Sequence, residues 1–147
     1  MNGSRSRAIL AIVCLMLAAS ASGCSRGAAY EHPAAKVVQR LLETRQSRST
    51  DASDYAPFFA DGALAAQVAA GTAQQARSGK DPLPDWSRPY VATVTADAAD
   101  VVVRWRRSEG FSEWPPATRF SVERLESRWV VIDAVSLGTG KLPSPGR

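Results

Sequence analysis

Three side chains in this 147-residue sequence have a type and setting suited to chemistry: Cys24, Asp133 and His32. Cys24 follows Ala21-Ser22-Gly23, small residues that admit a peptidase and leave a sulfur to which acyl chains can be attached. Asp133 interrupts the apolar stretch Arg128–Leu137; by strict alternation it shares a face with Trp129, Val131 and Val135. A carboxylate on an apolar face has a raised pKa and can serve as a general base. The same residue can instead lie on a partly exposed strand or pair with an arginine. His32, the single histidine, stands beside Pro33 at a helix start, where capping suits it better than catalysis. One histidine and one thiol outside the apolar leader give no zinc or copper site, which needs three or four N/S ligands. Asp51, Asp54 and Asp61 lack the spacing and glycine of a calcium loop. There is no G-x-S-x-G elbow, second histidine, phosphate loop or dinucleotide fingerprint. No metal or cofactor is expected.

The leader explains Cys24. Arg5 and Arg7 are basic, no acid precedes the cysteine, and Ala8 to Ala19 form an apolar run of 12 residues. That is signal-peptide length and shorter than the ~18 residues of a spanning helix. Residues 1–23 therefore read as a lipoprotein signal peptide with a lipobox, in which Ala21 stands where leucine is usual. An ordinary secretory leader and a retained helix are the alternatives. Cleavage before Cys24 removes Cys14 and leaves 124 of 147 residues, one domain without a disulfide. Two of the eighteen basic residues go and no acid does, so sixteen against fourteen leaves +2. The sequence pI of about 9.5 overstates the basicity of the mature chain, and nucleic acid is not an expected partner. The expected location is exported and lipid-anchored to the cell membrane. Ser25 after the cysteine favours the outer membrane if the cell is Gram-negative.

Residues 24–32 read as a lipidated tether. From Pro33, Ala34, Val37, Val38, Leu41 and Leu42 recur at helical spacing, and Ser47 to Thr50 end the run. Asp51 or Ser53 can cap a short helix with Tyr55, Phe58 and Phe59 on its apolar side. Ala63 to Ala76 is an alanine-rich helix whose thin face, Leu64 and Val68, should pack closely on something flat. Ser78 to Pro89, with three prolines, is a connector. After Pro89 the period becomes two. Strands are expected over Tyr90 to Ala96, Ala99 to Arg107, Thr118 to Leu125 and Arg128 to Leu137. In the first, Tyr90, Ala92 and Val94 share a face. Short links favour an antiparallel meander. Gly138–Arg147 reads as a flexible tail.

The fold class is α+β: N-terminal helices packed on a curved four-stranded antiparallel sheet over residues 33–137. With its amphipathic first helix, Asp54-Tyr55-Ala56-Pro57-Phe58-Phe59-Ala60-Asp61 and Ser127-Arg128-Trp129-Val130-Val131-Ile132-Asp133, this stretch resembles the NTF2-like superfamily. The resemblance implies a sheet curled around a pocket, in which enzymes of the superfamily place an Asp/His pair or a lone Asp. Two surface groups complete the candidates. Arg104, Arg106 and Arg119 project from one side of neighbouring strands and can meet anionic headgroups or an acidic partner. Phe111 and Trp114, in the loop 108–116, are either interface anchors or folded over the sheet edge. The expected function is that of a membrane-anchored, non-catalytic lipoprotein binding an envelope protein or a small apolar ligand. The alternative is an isomerase or dehydratase using Asp133.

Overall fold

The computed structural model describes residues 26–146, so the leader, Cys24 and Ser25 lie outside the described residues. Among the described residues four α-helices precede four strands. They are α1 (Arg26–Glu31), α2 (Pro33–Gln46), α3 (Ala52–Tyr55, continued by a 3-10 turn, Ala56–Phe58) and α4 (Gly62–Arg77). The strands β1 (Tyr90–Val94), β2 (Ala98–Arg104), β3 (Ala117–Leu125) and β4 (Arg128–Leu137) form one antiparallel sheet in sequence order. The α+β class and the four-stranded meander are as the hydrophobic periodicity predicts.

Short polar side chains start the helices. His32 Nδ1 accepts from Ala34 N at 3.2 Å, ahead of a proline whose missing N–H costs nothing there. Asp51 accepts from Ser53 N and Asp61 from Ala63 N, both at 2.8 Å. Helix α2 lies against all four strands and sinks Ala34, Val38, Leu41 and Leu42 into the core. Each of its large aliphatic side chains contributes about 1.5–3 kcal/mol by leaving water. Tyr55 from α3 is fully buried, its hydroxyl donating to Ser49 O at 2.8 Å. Trp105 lies on the same side of the sheet, its indole N–H donating to Thr118 Oγ1 at 2.9 Å.

The helix α4 departs from expectation. It packs against α3 and the 3-10 turn, not flat on the sheet. Its buried residues are Ala65, Ala69 and Thr72, the last with its Oγ1 3.4 Å from Tyr55 Oη of α3, while Leu64 and Val68 face the space towards β4. Leu64 stays partly exposed.

Two β-bulges change which residues share a face. In β4, Ser121 opposes Asp133 whereas Val122 opposes Val131, so Ile132 is the extra residue. Trp129 and Val131 consequently belong to the main core while Leu137, of the same parity, packs on the opposite face. In β1 the shift falls at Ala92, between Val91 and Thr93, and puts Val94 on the face opposite Tyr90. The expected grouping of Tyr90, Ala92 and Val94 is corrected to Tyr90 and Ala92 alone.

That opposite face carries a second small core of Ala29, Tyr90, Val102 and Ala117, flanked by Tyr30, Ala92, Leu137 and Leu142. The segment expected as a tether is thus helical from Arg26. Ala29 is buried, and the rings of Tyr30 and Tyr90 stand 5.7 Å apart. Glu31 pairs with Lys36 at 3.0 Å and with Arg88, and these cations hold its carboxyl below the usual range. The tail is tied down as well: Tyr90 Oη donates to Pro143 O, and Gly146 N donates to Val91 O at 2.7 Å. A Cβ at Gly146 would stand 3.1 Å from Ala92 O, so a side chain there would crowd this edge and require a small backbone shift. Pro82, Pro84 and Pro89 of the connector are fully buried, and Leu83 nearly so.

Candidate functional site

The space that α4 leaves open is a cavity of about 250 Å3 between α2, α4 and β4. Leu41 from α2, Leu64 and Val68 from α4, Phe59 from the end of the 3-10 turn, and Phe120 and Val131 from the sheet form its apolar wall. Spacing explains the convergence. Leu64 and Val68 are one turn apart on α4, Leu41 faces the sheet from α2, and Phe59 bridges to Val131 as a short parallel extension beside β4. Ile132, the bulged residue, borders the cavity and is 41% exposed, which marks an open mouth beside β4.

One charged side chain enters this apolar setting. Arg45, one turn beyond Leu41, lines the cavity and also a polar cleft formed with Gly71, Gln74, Gln75 and Ser78. It therefore stands where the two hollows meet. Its Nε is buried without a hydrogen-bond partner, and Nη2 has only a long contact of 3.5 Å to Gln75 Oε1. Burial pulls the guanidinium pKa down from its ordinary value, Tyr55 opposing it slightly. No carboxylate of the described residues lies within ion-pair distance of Arg45.

The predicted site residues are placed differently. Cys24 lies outside the described residues. Asp133 is not on the apolar face: the bulge puts it opposite Ser121, which stands opposite Asp100. Thr93, Asp100, Ser121 and Asp133 form a polar row across four strands, with Thr93 Oγ1 and Ser121 Oγ donating to the two oxygens of Asp100 at 3.0 and 3.3 Å. Asp133 borders the cavity, but it is exposed and its Oδ1 accepts from Ala134 N at 2.8 Å. The enclosed general base expected from alternation is therefore not formed, because one extra residue inverts the alternation.

Trp114 folds back. Its ring meets Trp105 edge-on at 5.7 Å and Phe111 at 5.5 Å, and it packs against the main core with its Nε1 buried and unpartnered. Phe111 is half-buried in the same stack, so neither ring is the free anchor that an exposed loop would present. Arg104 and Arg119 do share the second face, but Arg104 lays its guanidinium 5.7 Å above the Tyr90 ring and Arg119 is half-buried beside Val102. Arg106 lies past the end of β2, where its N–H donates to Asp85 O at 2.8 Å. The three do not make one patch.

The residues that sequence reasoning missed are Arg45, Leu41 as a cavity wall, and Ile132. The available signal was Leu41 and Arg45 at i, i+4 on one helix, with a thin facing stripe on α4. Among the described residues no group of three or more His, Cys, Asp or Glu is placed to hold a metal ion, and no helix is long and apolar enough to cross a membrane. No family model, curated protein or solved structure matches this chain.

Proposed function

We propose that the chain is an exported lipoprotein, acylated at Cys24 and anchored to the cell membrane. In this reading its domain, built on the NTF2-like plan, works by holding a small apolar molecule. The observation that carries the ligand reading is the apolar cavity between α2, α4 and β4. Apolar hollows open at one side and walled by several elements are the usual form of small-ligand sites. The inward folding of Trp114 and Phe111 weighs the choice towards a small ligand over a protein partner.

The chain begins its first described helix at Arg26, two residues after Cys24. Two extended residues span at most about 7 Å, so acylation would hold the domain against the headgroups. Intact mass spectrometry of the protein from envelope fractions should give a chain starting at Cys24 with acyl mass added. A free thiol at Cys24 would remove the anchor. For the cavity, the full chain carrying Cys24→Ala leaves no acyl chain of its own to compete. Its unfolding temperature should rise with 1-octanol by mass action, and Val68→Trp, which fills the wall, should abolish the rise. An identical response in both proteins would overturn the ligand reading.

A further inference from the structure

Resting on that cavity, we propose that its ligand is a small amphiphile with a carboxylate head, seated with the head on Arg45 and the tail between Leu41, Phe59, Val68 and Val131. The geometry on which this stands is an arginine at the wall of an otherwise apolar hollow, its Nε buried without a partner, its Nη2 held only by a long contact to Gln75, and no carboxylate of the described residues within ion-pair distance. Arg45 is half-buried with its Nε fully covered, and a charge drawn out of water gains from a countercharge that the described residues do not supply. The planar fork of a guanidinium matches the two oxygens of a carboxylate better than any single acceptor does. The depression of the Arg45 pKa by burial fits a cation waiting for an anion. The one acid bordering the cavity, Asp133, is engaged with Ala134 N on the exposed side of the strand.

Size narrows the ligand. The hollow of about 250 Å3 lies below the ~300–1,000 Å3 of drug-sized pockets. At the ~30 Å3 that a water-sized unit occupies in a liquid, it holds roughly eight heavy atoms. The eight carbons of a medium-chain carboxylate fill it, with the two head oxygens at Arg45 on the wall and the chain end at the mouth beside Ile132; a full-length membrane acyl chain does not fit. The uncharged alcohol of the same length should bind more weakly, because it leaves the guanidinium without a countercharge.

The test is titration calorimetry of octanoate, 1-octanol and octyltrimethylammonium with the full chain carrying Cys24→Ala, then with Arg45→Gln and Arg45→Lys added. Octanoate should bind at least about tenfold more tightly than 1-octanol, and the cation should not bind. Arg45→Gln should erase that difference while keeping the octanol affinity, which also shows that the variant is folded. Arg45→Lys should restore part of it. Equal affinity for octanoate and octanol in the unsubstituted protein, or a preference that survives Arg45→Gln, would overturn the carboxylate assignment and leave the apolar cavity standing. Failure of every probe to bind would overturn both.

Discussion

His32 closes the first turn of α2 with Nδ1 and sets the edge of its ring against Trp129, the centroids 5.3 Å apart. Partial burial holds the imidazole pKa below its ordinary 6.5. The folded chain then binds fewer protons than the unfolded chain in the window below about 6.5, so stability rises with pH there. The contribution is complete above that value and is lost as the pH falls through the depressed folded value. His32→Asn retains a good cap and removes the titration. Urea unfolding at about pH 7.5 and about pH 5 should show a smaller acid-induced drop in the variant than in the native chain. An equal drop would place the acid sensitivity elsewhere.

At the level of elements, the bulge at Ile132 decides what β4 presents. The register predicts opposite outcomes for two substitutions only two positions apart. Val131→Asp puts a carboxylate into the main core and should cost several kcal/mol, whereas Asp133→Ala on the exposed row should change stability by no more than about 0.5 kcal/mol. Chemical denaturation of both variants measures this; a large gain for Asp133→Ala, as removal of a carboxylate from the core would give, would mean that alternation runs unbroken. Period-two alternation and short links made the strands and their order legible, and the cap at Asp51 announced α3, whereas the cap at Asp61 went unread. An extra residue in a strand leaves no mark when it is an ordinary Ile or Ala, so the faces of β1 and β4 were not legible. Nor was the cavity. Its walls come from Leu41, Phe59, Val68 and Phe120, whose meeting depends on how far α4 stands from the sheet. Tyr30 was equally silent, because six residues of α1 carry too little periodicity to distinguish a docked helix from a linker.

At the largest scale, the described residues cover the sheet on both sides, with α2 and α3 over one face and α1 and residues 142–146 over the other. This makes the last residues part of the structure. Ending the chain at Lys141 removes Leu142 from the second core along with the bonds from Tyr90 Oη and to Val91 O. At about 1 kcal/mol per hydrogen bond, stability should fall by about 2 kcal/mol, read from the urea midpoint at unchanged slope. No loss would show that these contacts contribute nothing in solution. The stitching of both ends to Tyr90 also bears on how the protein can be handled. A bulky group attached within residues 142–146 would compete for room with α1, because Leu142 and Tyr30 pack on the same Tyr90 cluster. A label meant to leave this face undisturbed belongs instead in the exposed turn at Glu126 and Ser127.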